Sequence, residues 1–107
     1  MDAPAGAAAE VRALADAGDG PGALALVARV WREAWFTAGD IEGGAAAAAA
    51  ALDAPGADQA SVDRARVLYA DHLFAFRAGD QERARARAEE CLRVAARRGI
   101  FAASARG

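Results

Sequence analysis

The chain has 107 residues, of which 35 are alanine, so 24 apolar residues larger than alanine are available to fill a core. This length suits a single domain of closely packed elements, residues 1–107. The formal net charge of −2 argues against a generally basic surface for nucleic acid or anionic membrane but leaves room for a local basic patch. Cys91 is the only cysteine, so we expect no internal disulfide and no cysteine-based metal site, as suits a reducing cytoplasm.

Helix-forming residues dominate the chain. Alanine, arginine and glutamate favour helix, whereas the β-branched and aromatic residues that favour strands are sparse. We therefore predict an all-α fold with five main helices and room for a short sixth helix after Gly99. In chain order, the five helices are predicted to cover residues 6–17, 21–38, 41–53, 60–78 and 81–98.

Short turns separate most of the predicted helices. The tripeptide Ala-Gly-Asp occurs at residues 17–19, 38–40 and 78–80, and Pro55-Gly56 interrupts the chain between the third and fourth helices. Glycine can close a helix in the left-handed conformation, and the aspartate side chain can cap the helix that follows. Connections this short predict that neighbouring helices run antiparallel.

An internal repeat relates two of these turns. The segment FTAGDIEGGAAAAAAAL at residues 36–52 aligns with FRAGDQERARARAEECL at residues 76–92, an offset of 40 residues. A period of this length built from two helices is typical of helical solenoids. The sequence therefore predicts stacked two-helix hairpins.

The repeat resembles the tetratricopeptide (TPR) family, in which a turn glycine is followed five positions later by a small residue and later by Ala-Leu. The residues that carry the resemblance are Gly39, Gly44 and Ala51-Leu52 in the first repeat, and Gly79, Ala84 and Cys91-Leu92 in the second. The resemblance implies a short right-handed solenoid of antiparallel helical hairpins. Repeat 1 would cover residues 21–55 and repeat 2 residues 60–99, after one preceding helix at 6–17.

A narrower resemblance covers residues 7–99. They are similar to the helical repeat region that follows the P-loop ATPase module in bacterial transcriptional regulators of the AfsR and LuxR types, where a Trp-x-x-x-Trp pair precedes a Gly-Asp turn. Trp31 and Trp35 precede Gly39-Asp40 in the same way. The resemblance implies a cytoplasmic bacterial protein, either a stand-alone relative or a fragment of such a regulator. The chain contains no lysine, which excludes a P-loop ATPase with the usual lysine.

The arginine-rich segment at residues 81–98 has two interpretations, a basic strip for nucleic acid or the solvated side of a packed helix. Helical spacing favours the second, because it predicts one buried stripe. The residues of that stripe are Ala84, Ala88, Cys91, Leu92 and Ala95. We expect the arginines on the other sides of the helix, paired with glutamates in solvent. Direct binding of nucleic acid is therefore not favoured.

The candidates for contact with a partner are Trp31, Trp35, Asp71, His72 and Arg77. The two tryptophans, one helical turn apart, either fill the core or line a concave groove formed by the first helices of the repeats. His72 is the only histidine, and we expect it about one turn or more from Cys91, too far for a nucleophilic Cys-His pair. We therefore predict no enzymatic activity, no cofactor and no metal site.

Together these observations predict protein–protein interaction through a TPR-like scaffold, with a protein or peptide as partner. The alternative is a structural role in homo-oligomerisation, since the run Ala45–Ala51 would give one helix a small, smooth apolar side that a second copy could cover. The same run is too short to span a bilayer, and the N-terminus lacks the features of a signal peptide. No membrane association is expected.

Overall fold

The computed structural model describes the backbone of residues 3–99 and the side chains of residues 6–99. These residues form five α-helices and no strand. The helices are α1 (Ala3–Asp16), α2 (Gly20–Trp31), α3 (Ile41–Asp53), α4 (Val62–Ala78) and α5 (Gln81–Arg97). None of them combines the length and the apolar character needed to cross a bilayer. The predicted all-α fold is thus confirmed, while the sixth helix expected after Gly99 lies outside the described residues.

The predicted turn chemistry closes three of the helices. Gly18, Gly39 and Gly79 have φ values of 80°, 81° and 83°, in the left-handed region that glycine adopts without a steric penalty. The aspartate that follows each glycine accepts a hydrogen bond from the backbone N–H three residues later, at 2.9–3.1 Å. Each turn therefore ends one helix and caps the next.

The second predicted helix differs from expectation in its last turn. α2 ends at Trp31, and Arg32–Phe36 continue it as a π-helical segment. The N–H of Thr37 donates to the carbonyl of Arg32 at 2.7 Å, a bond that spans five residues. Trp31 and Trp35 both face the core, and Trp35 is fully buried.

Each helix packs against its neighbours along the chain. α1 contacts α2 and α3, α2 contacts α3 and α4, α3 contacts α4, and α4 contacts α5. Trp31 forms the centre of an aromatic cluster, with the ring centroids of Phe36, Tyr69 and Phe74 at 5.6, 6.3 and 6.0 Å in edge-to-face geometry. This cluster joins α2 and the π-helical segment to α4.

The alanine run of α3 packs inside the molecule rather than on its surface. Within Ala45–Ala51, only Ala46 is exposed, because α1, α2 and α4 all pack against this helix. Gly44 is buried and lies directly against the ring of Phe74. The smooth apolar side expected for this helix is therefore small.

α5 buries most of the stripe predicted for it, including Ala84 and Ala95, but not Leu92. Leu92, expected in the buried stripe, is 54% exposed, whereas Val94 is 3% exposed. Arg83, Arg87 and Glu90 lie on the same face as Val94, at spacings of 4, 3 and 4 residues. These charged side chains bind groups on α4, so the packed face of α5 extends to Val94 on one edge and leaves Leu92 exposed on the other.

Candidate functional site

An open groove of about 580 Å³ lies among α2, α4 and α5. Its apolar lining includes Trp31 from α2, Ala65 and Tyr69 from α4, and Cys91 from α5. Four exposed charged residues line it as well, namely Arg29, Arg32, Glu33 and Arg66. The groove therefore combines an apolar interior with a mainly cationic edge.

α4 presents a row of exposed apolar side chains along this groove and beyond it. Val62, Tyr69 and Phe76 are 38%, 48% and 64% exposed, and their seven-residue spacing places them on one side of the helix. Val62 and Tyr69 line the groove, whereas Phe76 lies near the end of α4. This row was not predicted, although its seven-residue spacing is visible in the sequence.

The two candidate tryptophans have different environments. Trp31 lines the groove but is only 7% exposed, with the guanidinium of Arg32 at 5.1 Å from its ring centroid. Trp35 is 1% exposed and belongs to the core. Both tryptophans pack as core residues, and Trp31 also forms part of the groove wall.

Asp71 is the most completely buried charged side chain in the described part of the chain, at 0% exposure. It accepts hydrogen bonds from Arg83 Nη2 at 2.8 Å and from Arg87 Nε at 2.8 Å. Arg83 and Arg87 were expected to pair with glutamates in solvent, and this expectation is wrong for Arg83. Burying a carboxylate requires charged partners, and the two arginines of α5 supply them.

The ion pairs continue from Asp71 along α5. Arg87 Nη1 donates to Glu90 Oε1 at 3.3 Å, and Arg64 Nη2 donates to Glu90 Oε2 at 2.7 Å. Arg64 Nη1 also donates to the carbonyl of Ala57 at 2.7 Å. The network therefore ties α5 both to α4 and to the segment that connects α3 with α4.

The arginines of this network control the ionisation of Glu90. Partial burial alone would raise the pKa of the Glu90 carboxyl, but the hydrogen bond and charge of Arg64 outweigh it, with a further contribution from Arg87. The pKa of Glu90 is therefore held below its ordinary value of 4.5. Since the unfolded chain lacks these contacts, the ionised carboxylate stabilises the fold above that value, and the contribution is lost as the pH falls through the lower folded pKa.

We expect Glu90→Gln to destabilise the protein near neutral pH and to have little effect in acid. The amide cannot ionise, so the difference from the wild type should shrink as the pH falls below about 4.5. Urea unfolding at several pH values from about 7 to about 3 measures this dependence. Glu89→Gln is the matched control, because Glu89 is exposed and makes no ion pair within residues 6–99. Parallel pH profiles for the two variants would contradict the conclusion that the ion pairs of Glu90 lower its pKa in the folded chain.

His72 and Cys91 each bond to a backbone carbonyl. Nδ1 of His72 lies 2.9 Å from the carbonyl oxygen of Ala84, and because a carbonyl only accepts, Nδ1 carries the proton and donates. Cys91 Sγ donates to the carbonyl of Ala65 at 3.3 Å. The carbonyl of Ala84 belongs to α5 and that of Ala65 to α4, so the imidazole and the thiol bond to different helices. Burial raises the pKa of the Cys91 thiol, which makes it a weak nucleophile near neutral pH.

Arg77, the remaining candidate, lies outside the groove. It is exposed near the end of α4, with its guanidinium 5.2 Å from the ring centroid of Phe36. Of the candidate residues, the structure therefore brings Trp31 into the groove and places Trp35, Asp71 and Arg77 elsewhere. His72 lies beside the groove, since its ring centroid is 6.2 Å from that of Tyr69.

The described residues contain no group of three or more histidine, cysteine, aspartate or glutamate side chains placed to hold a metal ion.

Comparisons of the chain with protein-family models, with curated proteins and with solved structures find no match.

Proposed function

We propose that the chain is a protein–protein interaction module built as a short right-handed TPR-like solenoid of antiparallel helical hairpins. The order of helix contacts supports this arrangement, because most of the helices pack against both their first and their second neighbours along the chain. Stacked two-helix repeats produce such contacts. α2 and α3 would form the first hairpin, and α4 and α5 the second, after α1.

The observation that carries the proposed function is the exposed row on α4 beside the groove. Tyr69 is half exposed although its ring packs edge-on against Trp31, so its outer side is available for a partner. Aromatic residues that are anchored on one side and exposed on the other are frequent at protein interfaces. A peptide or a protein surface that covers Val62 and Tyr69 would bury this apolar area. No catalytic step forms part of the proposal.

The Trp-x-x-x-Trp pair supports a finer proposal, that the chain is a cytoplasmic relative of the repeat region of AfsR- and LuxR-type bacterial regulators. Trp31 connects the core to the groove, and Trp35 anchors the π-helical segment that leads into the Gly39-Asp40 turn. In this proposal the chain supplies the docking part of such a regulator and not its ATPase.

A partner should bind Tyr69→Ser about tenfold more weakly than the wild type, because the variant removes a central aromatic contact. The partner would first be identified by cross-linking in the source cell, then purified for titration. Leu92→Ser is the matched control, since Leu92 is a similarly exposed apolar residue on α5 that does not line the groove. Equal affinities of Tyr69→Ser and the wild type would contradict docking in the groove.

Homo-oligomerisation is the second candidate function, and the exposure of Phe76 and Leu92 outside the groove favours it. The alanine side of α3 offers little area for this role, because α3 is largely covered. Light scattering over a wide concentration range distinguishes the candidates. A dimer that Phe76→Ser or Leu92→Ser dissociates would support self-association, and a monomer throughout would exclude it.

A further inference from the structure

We infer that the groove among α2, α4 and α5 binds an acidic peptide segment that carries an aromatic or aliphatic side chain. This inference rests on the proposed function and names the chemistry of the partner. It follows from the distribution of charge around the groove, from its apolar lining and from the charge of the whole chain.

The arginines of the chain fall into distinct groups. Arg64, Arg83 and Arg87 are bound to carboxylates in the network between α4 and α5. The arginines that line the groove, Arg29, Arg32 and Arg66, make no ion pair with any carboxylate within residues 6–99. Within the described residues, the groove therefore offers three guanidinium groups without a carboxylate partner, one of which, that of Arg32, also stacks on Trp31.

The cationic character of the groove is local. The whole chain carries a formal net charge of −2, whereas the groove lining contains these three arginines and a single carboxylate, Glu33. A positive patch on an acidic protein attracts a short acidic segment, while the rest of the surface repels a long polyanion. This contrast favours a peptide over nucleic acid, whose phosphates would extend beyond the groove.

The geometry places charges on two sides of an apolar space. Arg29 and Arg32 are three residues apart on α2 and the adjoining segment, so they are neighbours on that side, and Arg66 extends from α4. Ala65 and Ala95 line the same groove, and their small side chains leave room for an apolar group in a space that Trp31 and Tyr69 also line. Carboxylates that bind guanidinium groups beside an apolar surface form stronger hydrogen bonds than they do in open water.

Selection of short random peptides displayed against the purified chain tests the inference. We expect the enriched peptides to combine aspartate or glutamate with an aromatic or aliphatic residue. A synthetic enriched peptide should slow the alkylation of Cys91, which lines the groove. Its affinity should fall about tenfold or more in the variant Arg29→Glu/Arg66→Glu, and replacing its acidic residues with lysine should restore part of that loss.

The matched control is Arg85→Glu/Arg93→Glu, which makes the same change of charge at two exposed positions of α5 outside the groove. Unchanged affinity in this control supports the inference, whereas an equal loss in both variants overturns it, because general charge would then explain binding. Enriched peptides that protect Cys91 but lack acidic residues overturn the inference and leave the proposed function standing. Failure to select any peptide that protects Cys91 counts against docking in the groove itself. Tighter binding of a single-stranded oligonucleotide, lost in Arg29→Glu/Arg66→Glu, overturns the choice of a peptide partner.

Discussion

Asp71→Ala is expected to lower the free energy of unfolding by about 3 kcal/mol, because it leaves two arginines without their buried partner. Asp71 is completely buried, and it binds Arg83 and Arg87 at once. The side chains of Arg83 and Arg87 are 35% and 25% exposed to solvent, so water can partly replace the carboxylate. The effect therefore falls at the lower end of the range for breaking buried ion pairs. Urea unfolding followed by circular dichroism measures it.

Arg85→Ala is the matched control for this prediction. It removes an arginine from the same helix, but one that is exposed and makes no ion pair within residues 6–99. We expect its free energy of unfolding to remain within about 0.5 kcal/mol of the wild type. If Asp71→Ala were equally mild, the carboxylate would not be holding α5 against α4.

Gly44→Ala is expected to lower the free energy of unfolding by about 2 kcal/mol, although alanine favours a helix by roughly 1 kcal/mol over glycine. A Cβ atom at this position would overlap the ring of Phe74. That ring is fully buried and packs edge-on against Trp31, so it has little room to move. The added methyl group should therefore force α3 and α4 apart, which thermal and urea unfolding would detect.

A double-mutant cycle with Phe74→Leu isolates this contact. The smaller side chain should accept the new methyl group, so the double variant should lose less stability than the sum of the two single variants. Strict additivity would mean that Gly44 is required for some reason other than its contact with Phe74.

Local features of the fold were predictable from the sequence. The turns depend on a glycine and on an aspartate that caps a backbone N–H three residues later, so all the interacting groups lie within one short segment. The burial of Ala84 was also predicted, from the helical spacing of small and apolar residues on α5. The π-helical end of α2 was not predicted.

The edge of the packed face of α5 depended on contacts between distant residues. The spacing of apolar residues predicted the burial of Ala84 and Ala95 correctly but that of Leu92 wrongly. Asp71 binds arginines 12 and 16 residues further along the chain, and Val94, on the same side of α5 as those arginines, is buried instead. A hydrophobic pattern alone cannot predict this, because it assigns every arginine to solvent. Only the packing of α5 on α4 brings the buried carboxylate within reach of both guanidinium groups.

The same distinction applies to the candidate site. The position of Trp31 before the turn indicated it as a candidate site residue, and the seven-residue spacing of Val62, Tyr69 and Phe76 was present in the sequence. The sequence by itself determined which segments form helices, which residues cap them and that the two tryptophans lie one helical turn apart. Each of these features depends on residues close together in the chain. The tertiary structure decided that Trp35 is core, that Asp71 is bound internally and that Arg29, Arg32 and Arg66 line one groove. These outcomes depend on how the helices are placed and rotated against one another, since burial and charge pairing are set by neighbours from other helices.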